Sequence, residues 1–271
     1  MAEMTMDASG HAHDATEITK KNNNMKLAMW LYLASEIVIF SIFIAGYSIY
    51  RLNQPAAVSN IHDVLGIALV TANTFLLLTS SWCMVMGLRA IEMGNRASFM
   101  RWIGLTAFLG AIFLGGQWIE YRELAHLNLT LQRSDLSLQD EVFANAVEIE
   151  EVASGTQVNV FNTSILDGLN LSYEADFSQP VILNESEYAE FEEQLTDNFV
   201  AATANFGMRF YAPTAFHGAH VLIGVLLALH VLWLGSRGFY DNNPIGVEMF
   251  GLYWHFVDVV WILLFTLIYL V

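Results

Sequence analysis

The sequence predicts an all-α membrane protein: five transmembrane helices, with an external acidic insertion between helices three and four. Three observations predict it. Five apolar runs are each long enough to cross a hydrocarbon layer of about 30 Å at about 1.5 Å per residue. Only 14% of the 271 residues are charged, and mean hydropathy is +0.44. Soluble domains carry about a quarter. The net charge of −16 is also uneven, because residues 132–197 hold 15 acids and a single base, Arg133. The acidic balance therefore belongs to one segment and leaves the apolar runs almost uncharged. It excludes nucleic acid as a partner, since phosphate binding needs clustered Lys and Arg. The single cysteine, Cys83, lies inside an apolar run. That excludes a disulfide framework and a thiolate metal site.

Residues 1–24 form a polar arm with His11, His13, Asp14, Glu17, Lys20 and Lys21. The arm lacks the apolar core and small-residue cleavage site of a signal peptide. It reads as disordered and cytoplasmic, and His11-x-His13 reads as part of a solvated tail. The spans follow at Met25–Leu52, Asp63–Ile91, Met100–Leu124, Phe206–Ser236 and Glu248–Val271. Residues 25–124 thus hold helices one to three, 125–205 the insertion, and 206–271 helices four and five. Lys20, Lys21, Lys26, Arg89, Arg96, Arg101 and Arg237 flank the runs on one side. Their excess places the N-terminus in the cytoplasm, and the C-terminus and insertion outside.

Span one carries Glu36, about 16 Å of helix above its cytoplasmic end. An unpaired carboxylate there costs several kcal/mol (about the desolvation penalty of a buried ion) or takes up a proton. So Glu36 is either protonated or partnered from another span. Span two offers Thr71, Asn73, Thr74, Thr79, Ser80 and Ser81, small polar groups suited to hydrogen bonds between close helices. Span three has Gly110, Gly115 and Gly116, which read as close packing, and Glu120, which reads as interfacial.

The insertion is too long for a plain connection, so it should fold. Residues 158–183 mix β-branched and aromatic residues with turn signals, predicting short strands. Asn184-Glu-Ser-Glu187 predicts a capping box opening a helix that leads into span four. Asn128, Asn162, Asn170 and Asn184 begin N-x-S/T triplets, and nothing else in the chain supports a secretory context.

Span four places His217 and His220 three apart, on one face. His230 follows further on. Two histidines without further ligands make a poor metal site. Span five holds Tyr253-Trp-His-Phe-Val-Asp-Val-Val-Trp261, in which His255 and Asp258 share one face and Trp254 and Trp261 another. An acid and an imidazole at membrane depth should face protein, water or each other. Two readings stand: a structural hydrogen-bonded pair, or a part in proton movement. Counting rise also brings Glu36 within about 8 Å in depth of His220, closer than His217, which predicts a Glu36–His220 hydrogen bond.

Phe216-His-Gly-Ala-His-Val-Leu-Ile-Gly224 and Trp254-His-Phe-Val-Asp-Val-Val-Trp261 resemble the signature segments of subunit III of heme–copper oxidases. Ser35-Glu36 resembles that family's intramembrane, carbodiimide-reactive carboxylate. Asn73-Thr-Phe-Leu-Leu-Leu78 and Glu120-Tyr121 also fit. The resemblance implies an accessory subunit of a bacterial inner-membrane cytochrome c oxidase, with heme and copper in the partner subunit and none in this chain. It implies packing on subunit I, contact with subunit II, bound phospholipid, and support for proton uptake and active-site stability. The complex reduces oxygen to water and pumps protons. Larger members have seven spans, and the first two are absent here, as in quinol-oxidase versions. The insertion is also unusual: its acids read first as a solvated external face, and otherwise as a contact with a neighbouring subunit, an electron-donor complex or a basic c-type cytochrome. Two alternatives are a quinol-oxidase or nitric-oxide-reductase-associated homologue, and a free-standing proton-coupled transporter using Glu36 and Asp258.

Overall fold

The computed structural model describes residues 3–62, 65–127, 129 and 136–270, with side chains described from residue 17 onward. Asp63, Asn128, Gln132 and Arg133 lie outside these, as do the side chains of His11, His13 and Asp14. Among the described residues the chain forms eight α-helices. They are α1 (Glu3–Asn53), α2 (Pro55–His62), α3 (Ile67–Glu92), α4 (Arg96–His126), α5 (Glu185–Leu195), α6 (Ala201–Ala204), α7 (Phe206–Ser236) and α8 (Ile245–Phe265). Strands β1 (Val147–Val152), β2 (Gly155–Val160) and β3 (Val181–Leu183) lie between α4 and α5. Five helices are long and apolar enough to cross a membrane, so the chain is an all-α, multi-pass membrane protein, and the one sheet among the described residues lies in the insertion.

One expectation fails at the start. The polar arm is helical from Glu3 and runs into the first span without a break. Its Ala, Met, Glu and Lys are good helix formers. A span that is already helical also supplies the costly nucleus, so extension adds one hydrogen bond per residue fixed. Helix α2 is a second difference, a short turn of helix after Pro55 where the sequence reading had only a connection.

The chain divides into two compact units. The first comprises Met1–Ser41, Asn73–Leu114 and His217–Ile262. Its two largest fully buried side chains, Trp254 and Trp261, belong to α8. Trp254 lies between two glycines: a Cβ on Gly110 would come 2.7 Å from its ring, and one on Gly224 2.6 Å. Only glycine leaves room for an indole there. Gly115, by contrast, borders open space. The Trp254 Nε1 donates to Ser80 Oγ at 3.0 Å, and the Trp261 Nε1 donates to Thr74 Oγ1 at 2.9 Å. Asn73 donates to the Phe113 carbonyl at 3.4 Å. The small polar row of α3 is therefore the set of acceptors and donors that fixes its neighbours. Lys26 of α1 and Glu248 of α8 pair at 2.7 Å, and Arg96 pairs with Asp241.

The second unit comprises Ile42–Ala72, Gly115–Phe216 and Leu263–Val271. It contains the folded insertion. Strands β1, β2 and β3 form an antiparallel sheet in that order, with Val147 opposite Val160 and Val158 opposite Val181. Strand β1 alternates Val147 and Ile149 inward with exposed Glu148 and Glu150, the two-residue period of a half-buried strand. It starts earlier than the predicted strand region. Gly155 has φ +144°, and a Cβ there would sit 2.2 Å from the Leu183 carbonyl oxygen, so the hairpin requires glycine. Val142, Phe143, Val158, Phe191 and Leu195 are fully buried beneath the sheet and α5.

The capping box forms as expected: Asn184 Oδ1 accepts from Glu187 N, and Glu187 Oε2 accepts from Asn184 N, both at 2.9 Å. Asn162 likewise accepts from Ser164 N at 3.2 Å. Two of the N-x-S/T asparagines are thus local caps. Burial, then the carboxylates of Glu190 and Glu187, pushes the Tyr173 phenol up to about 12. The insertion is tied down by Asn60, which donates to the Val142 carbonyl at 2.8 Å and accepts from Asn145 at 3.1 Å. Tyr50 adds a bond to the Ala202 carbonyl at 3.0 Å. A π-helical turn, Thr196–Val200, joins α5 to α6.

Candidate functional site

The polar residues at membrane depth in the first unit come from α1, α3, α7 and α8. The few ionisable groups lie on faces turned toward neighbouring helices, because an ionisable group at membrane depth needs a partner. Glu36 is 9% exposed and His220 6%. His220 Nε2 stands 3.3 Å from Glu36 Oε2. This is the pair that rise along the two helices predicts. It is a contact at ion-pair distance, looser than an aligned hydrogen bond. The neighbouring rings hold it in place. Phe40 meets the His220 ring edge-on at 5.4 Å, and Tyr253 stacks beside it at 6.4 Å. The Tyr253 hydroxyl donates to the His220 carbonyl at 2.9 Å, and the Tyr32 hydroxyl lies beside the Glu36 carboxyl. Ser35 does not serve Glu36, because its hydroxyl donates to the Tyr32 carbonyl at 2.6 Å.

His217, one turn away, has different surroundings. It is fully buried, stacked on Trp261 at 4.9 Å with Phe113 edge-on at 5.9 Å, and neither ring nitrogen has a hydrogen-bond partner. The two histidines share a helix face but not a neighbour, so they do not form a joint site. A neutral imidazole here acts as an aromatic ring between two others.

His255 and Asp258 are brought together through a third residue. Ser81 Oγ and His255 Nδ1 are 2.6 Å apart, and Ser81 also lies beside the Asp258 carboxyl. Asp258 is 3% exposed. A serine from α3 therefore bonds His255 and stands beside Asp258, whose two oxygens have no hydrogen-bond partner, and the His255 bond ties these helices together. Sequence reasoning identified Ser81 only as an interhelical hydrogen-bonding group; its common role for His255 and Asp258 needed the structure. His230 lies apart, stacked on exposed Trp233 at 5.9 Å. Among the described residues no three His, Cys, Asp or Glu side chains are grouped to hold a metal.

Glu120, in the second unit, corrects an expectation. It is 2% exposed, not interfacial. Gln117 Nε2 donates to its Oε2 at 2.5 Å, and the Tyr269 hydroxyl lies beside it. The reason is tertiary. Counting along α4 puts Glu120 near a helix end, but the last turn of the chain covers it. That turn is itself held, because Arg51 donates to the Leu267 carbonyl at 3.2 Å and His62 bonds the Tyr269 carbonyl at 2.9 Å. Such side chains satisfy the carbonyls a helix end leaves orphaned.

The sequence model of the family described as cytochrome c oxidase subunit III matches residues 2–132 and 152–271. Its gap, 133–151, covers only the start of the insertion and strand β1. The cytochrome c oxidase subunit 3 of Synechocystis sp. is 31% identical over 242 residues, 89% of this chain and 72% of that protein. That of Thermostichus vulcanus is 28% identical, covering 98% and 94%. A Pseudomonas aeruginosa relative named cytochrome bo(3) ubiquinol oxidase subunit 3 is 23% identical, covering 97% and 93%. With the family match spanning all five membrane helices, the chain belongs to the cytochrome c oxidase subunit III family.

Proposed function

We propose that this chain is the accessory subunit III of a proton-pumping heme–copper terminal oxidase, packed on subunit I and beside subunit II in a bacterial inner membrane. The observation that carries the reading is the Glu36–His220 contact, a carboxyl and an imidazole 3.3 Å apart and shielded from lipid. It joins the first span to the segment around Phe216–Gly224 that carries the resemblance. The chain itself supplies no redox centre, and heme and copper sit in the partner subunit. Its part is to bind phospholipid, support proton uptake and keep the active site stable in turnover. The N-terminus is cytoplasmic, and the insertion and C-terminus are external. Purification through a tag on this chain tests it. Heme iron and copper should elute with it in fixed ratio, whereas elution alone would favour the proton-coupled transporter.

The roles of the polar residues follow from their settings. Glu36 and His220 tie α1 to α7, and His255 and Asp258 with Ser81 lock α8 to α3. His217 is a packing ring. Glu36→Gln should leave assembly intact, abolish carbodiimide labelling and change turnover only modestly. Complete loss of oxygen reduction with the metals in place would instead make the carboxyl part of an essential proton path.

The electron donor divides two readings. Cytochrome c is the first, and the acidic insertion is where a basic c-type cytochrome or donor complex would dock. The P. aeruginosa relative, named as a ubiquinol oxidase subunit, supports the quinol reading. Assaying the purified complex with reduced cytochrome c and with quinol separates them. Removing residues 132–197 should weaken cytochrome c turnover and flatten its salt dependence. Unchanged assembly and kinetics would refute docking there.

A further inference from the structure

Strand β1 is an edge of the insertion's sheet, and its outer side is open. In an antiparallel pair, residues that bond the partner strand alternate with residues whose N–H and C=O point away from it. Phe161 N donates to the Ala146 carbonyl at 2.9 Å, and the register pairs Glu148 with Asn159 and Glu150 with Gln157. The even-numbered residues of β1 therefore bond β2. Ile149 and Glu151 point their N–H and C=O outward, where no hydrogen bond reaches them among the described residues. Val147 points the same way but is 3% exposed, so the accessible edge covers residues 148–152.

The side chains along that edge say what pairs with it. The outer face of the sheet carries Glu148 and Glu150, both exposed. Phe161, one residue past β2, continues that face in alternation with Gln157 and Asn159, and its ring is 55% exposed. The inner face presents half-buried Ile149 at the edge. Residues 136–205 contain no Lys, Arg or His, so no cation of the insertion answers these acids, and Glu148 has only the Asn159 amide at 3.5 Å. Acids on an edge guard it against a second copy, because edge-to-edge pairing would set glutamate against glutamate. The same acids favour a basic strand. Its cations would meet two carboxylates and an aromatic face, and its apolar residues would cover Ile149. Residues 147–151 fall outside the family match, so this edge is not part of the shared family pattern.

We infer that the open edge of β1 accepts an extended segment of a partner protein as an added strand, with Lys or Arg beside Glu148, Glu150 and Phe161 and apolar residues beside Ile149. Backbone bonds to Ile149 and Glu151 set the register, and the acids select a basic sequence. This narrows docking on the insertion to one edge and one form of partner, and it rests on the reading above for the side of the membrane. Attraction of a basic protein by charge alone is the competing account, and the test separates the two.

The test uses the whole complex, purified through this chain in an uncharged detergent. The probe is a short fluorescent peptide alternating lysine and valine, read by anisotropy against empty micelles. It should bind wild type saturably and slow backbone hydrogen exchange in residues 148–152. The same peptide with proline in place of valine keeps the charge, cannot extend the sheet and should not bind. Glu151→Pro removes an outward N–H while the β1–β2 ladder keeps its bonds, and should bind about tenfold more weakly, the loss of one or two net hydrogen bonds. Glu151→Gln should stay near wild type. Glu148→Gln/Glu150→Gln should weaken binding and flatten its salt dependence. Equal binding of both peptides, or equal binding by Glu151→Pro and wild type, would overturn the inference, because charge alone would then explain the contact. So would the absence of saturable binding to wild type. The two peptides on wild type decide the matter even where the proline variant unsettles the sheet. Cytochrome c turnover unchanged on removing residues 132–197 would refute donor docking instead, and peptide binding would still decide the edge.

Discussion

The first and last spans carry one buried carboxyl each, yet they are held in opposite ways. In the apolar part of α1 only 17% of residues are buried, against 56% in the last span. Helix α8 is gripped on several sides by glycines, serines and aromatic rings. Helix α1 turns Leu27, Trp30, Leu31, Ile37 and Val38 outward and is attached by a few specific contacts, above all Glu36 with His220. In lipid, apolar surface gains little from facing protein, because acyl chains are equally apolar. Close packing and polar bonds are what remain. The last span uses both, and the first leans on polar bonds and leaves its outer face for lipid or a neighbouring subunit.

The sharpest way to break this contrast is to empty the centre of α8. Trp254→Ala should cost about 3 kcal/mol, the low end for a buried tryptophan, because lipid supplies no transfer term. It should release the subunit from the complex in a detergent wash. Trp30→Ala, removing an exposed indole of α1, should be near neutral. If the two matched, the difference in burial would have no energetic meaning.

Filling space against the same indole, from α7, comes next. Gly224→Val would drive a Cβ into the Trp254 ring and should destabilise by about 2 kcal/mol, read as a fall of several degrees in the thermal inactivation midpoint. Gly115→Val, beside open space, should do far less.

The contact that holds α1 should follow. His220→Ala leaves Glu36 buried without its partner and should cost about 1–2 kcal/mol. Glu36→Gln keeps the shape, removes the charge and should cost less than that. The reverse order would mean the carboxyl carries more than a tether. Smallest of all, Lys26→Ala breaks the Lys26–Glu248 ion pair, whose side chains are 41% and 38% exposed. It should change stability by no more than about 0.5 kcal/mol, and by less at high salt.

Some of this was legible from composition and spacing. Apolar run length determined five spans, because a bilayer admits little else. The fourth matched to the residue, since Ser236 precedes the turn signals around Gly238. The capping box at Asn184 was readable because it is a local reciprocal bond. The Glu36–His220 pair was readable because helical rise converts sequence position into depth, and an ionisable group at depth needs a partner.

What the sequence left open required neighbours distant in the chain. Glu120 looked interfacial along α4, and only the folding of Tyr269 over it made it buried. His217 and His220 looked alike in spacing. Tertiary packing gave one a carboxyl and the other two aromatic rings. The place of Ser81 between His255 and Asp258 depends on helix rotation, which periodicity alone does not set. The polar arm became helix because propagation from an existing helix costs little, a cooperative effect that residue-by-residue reading does not register. Local bonds and bilayer thickness act within a stretch of chain and are therefore written in it. Burial and partnership belong to surfaces that exist only once the helices have met.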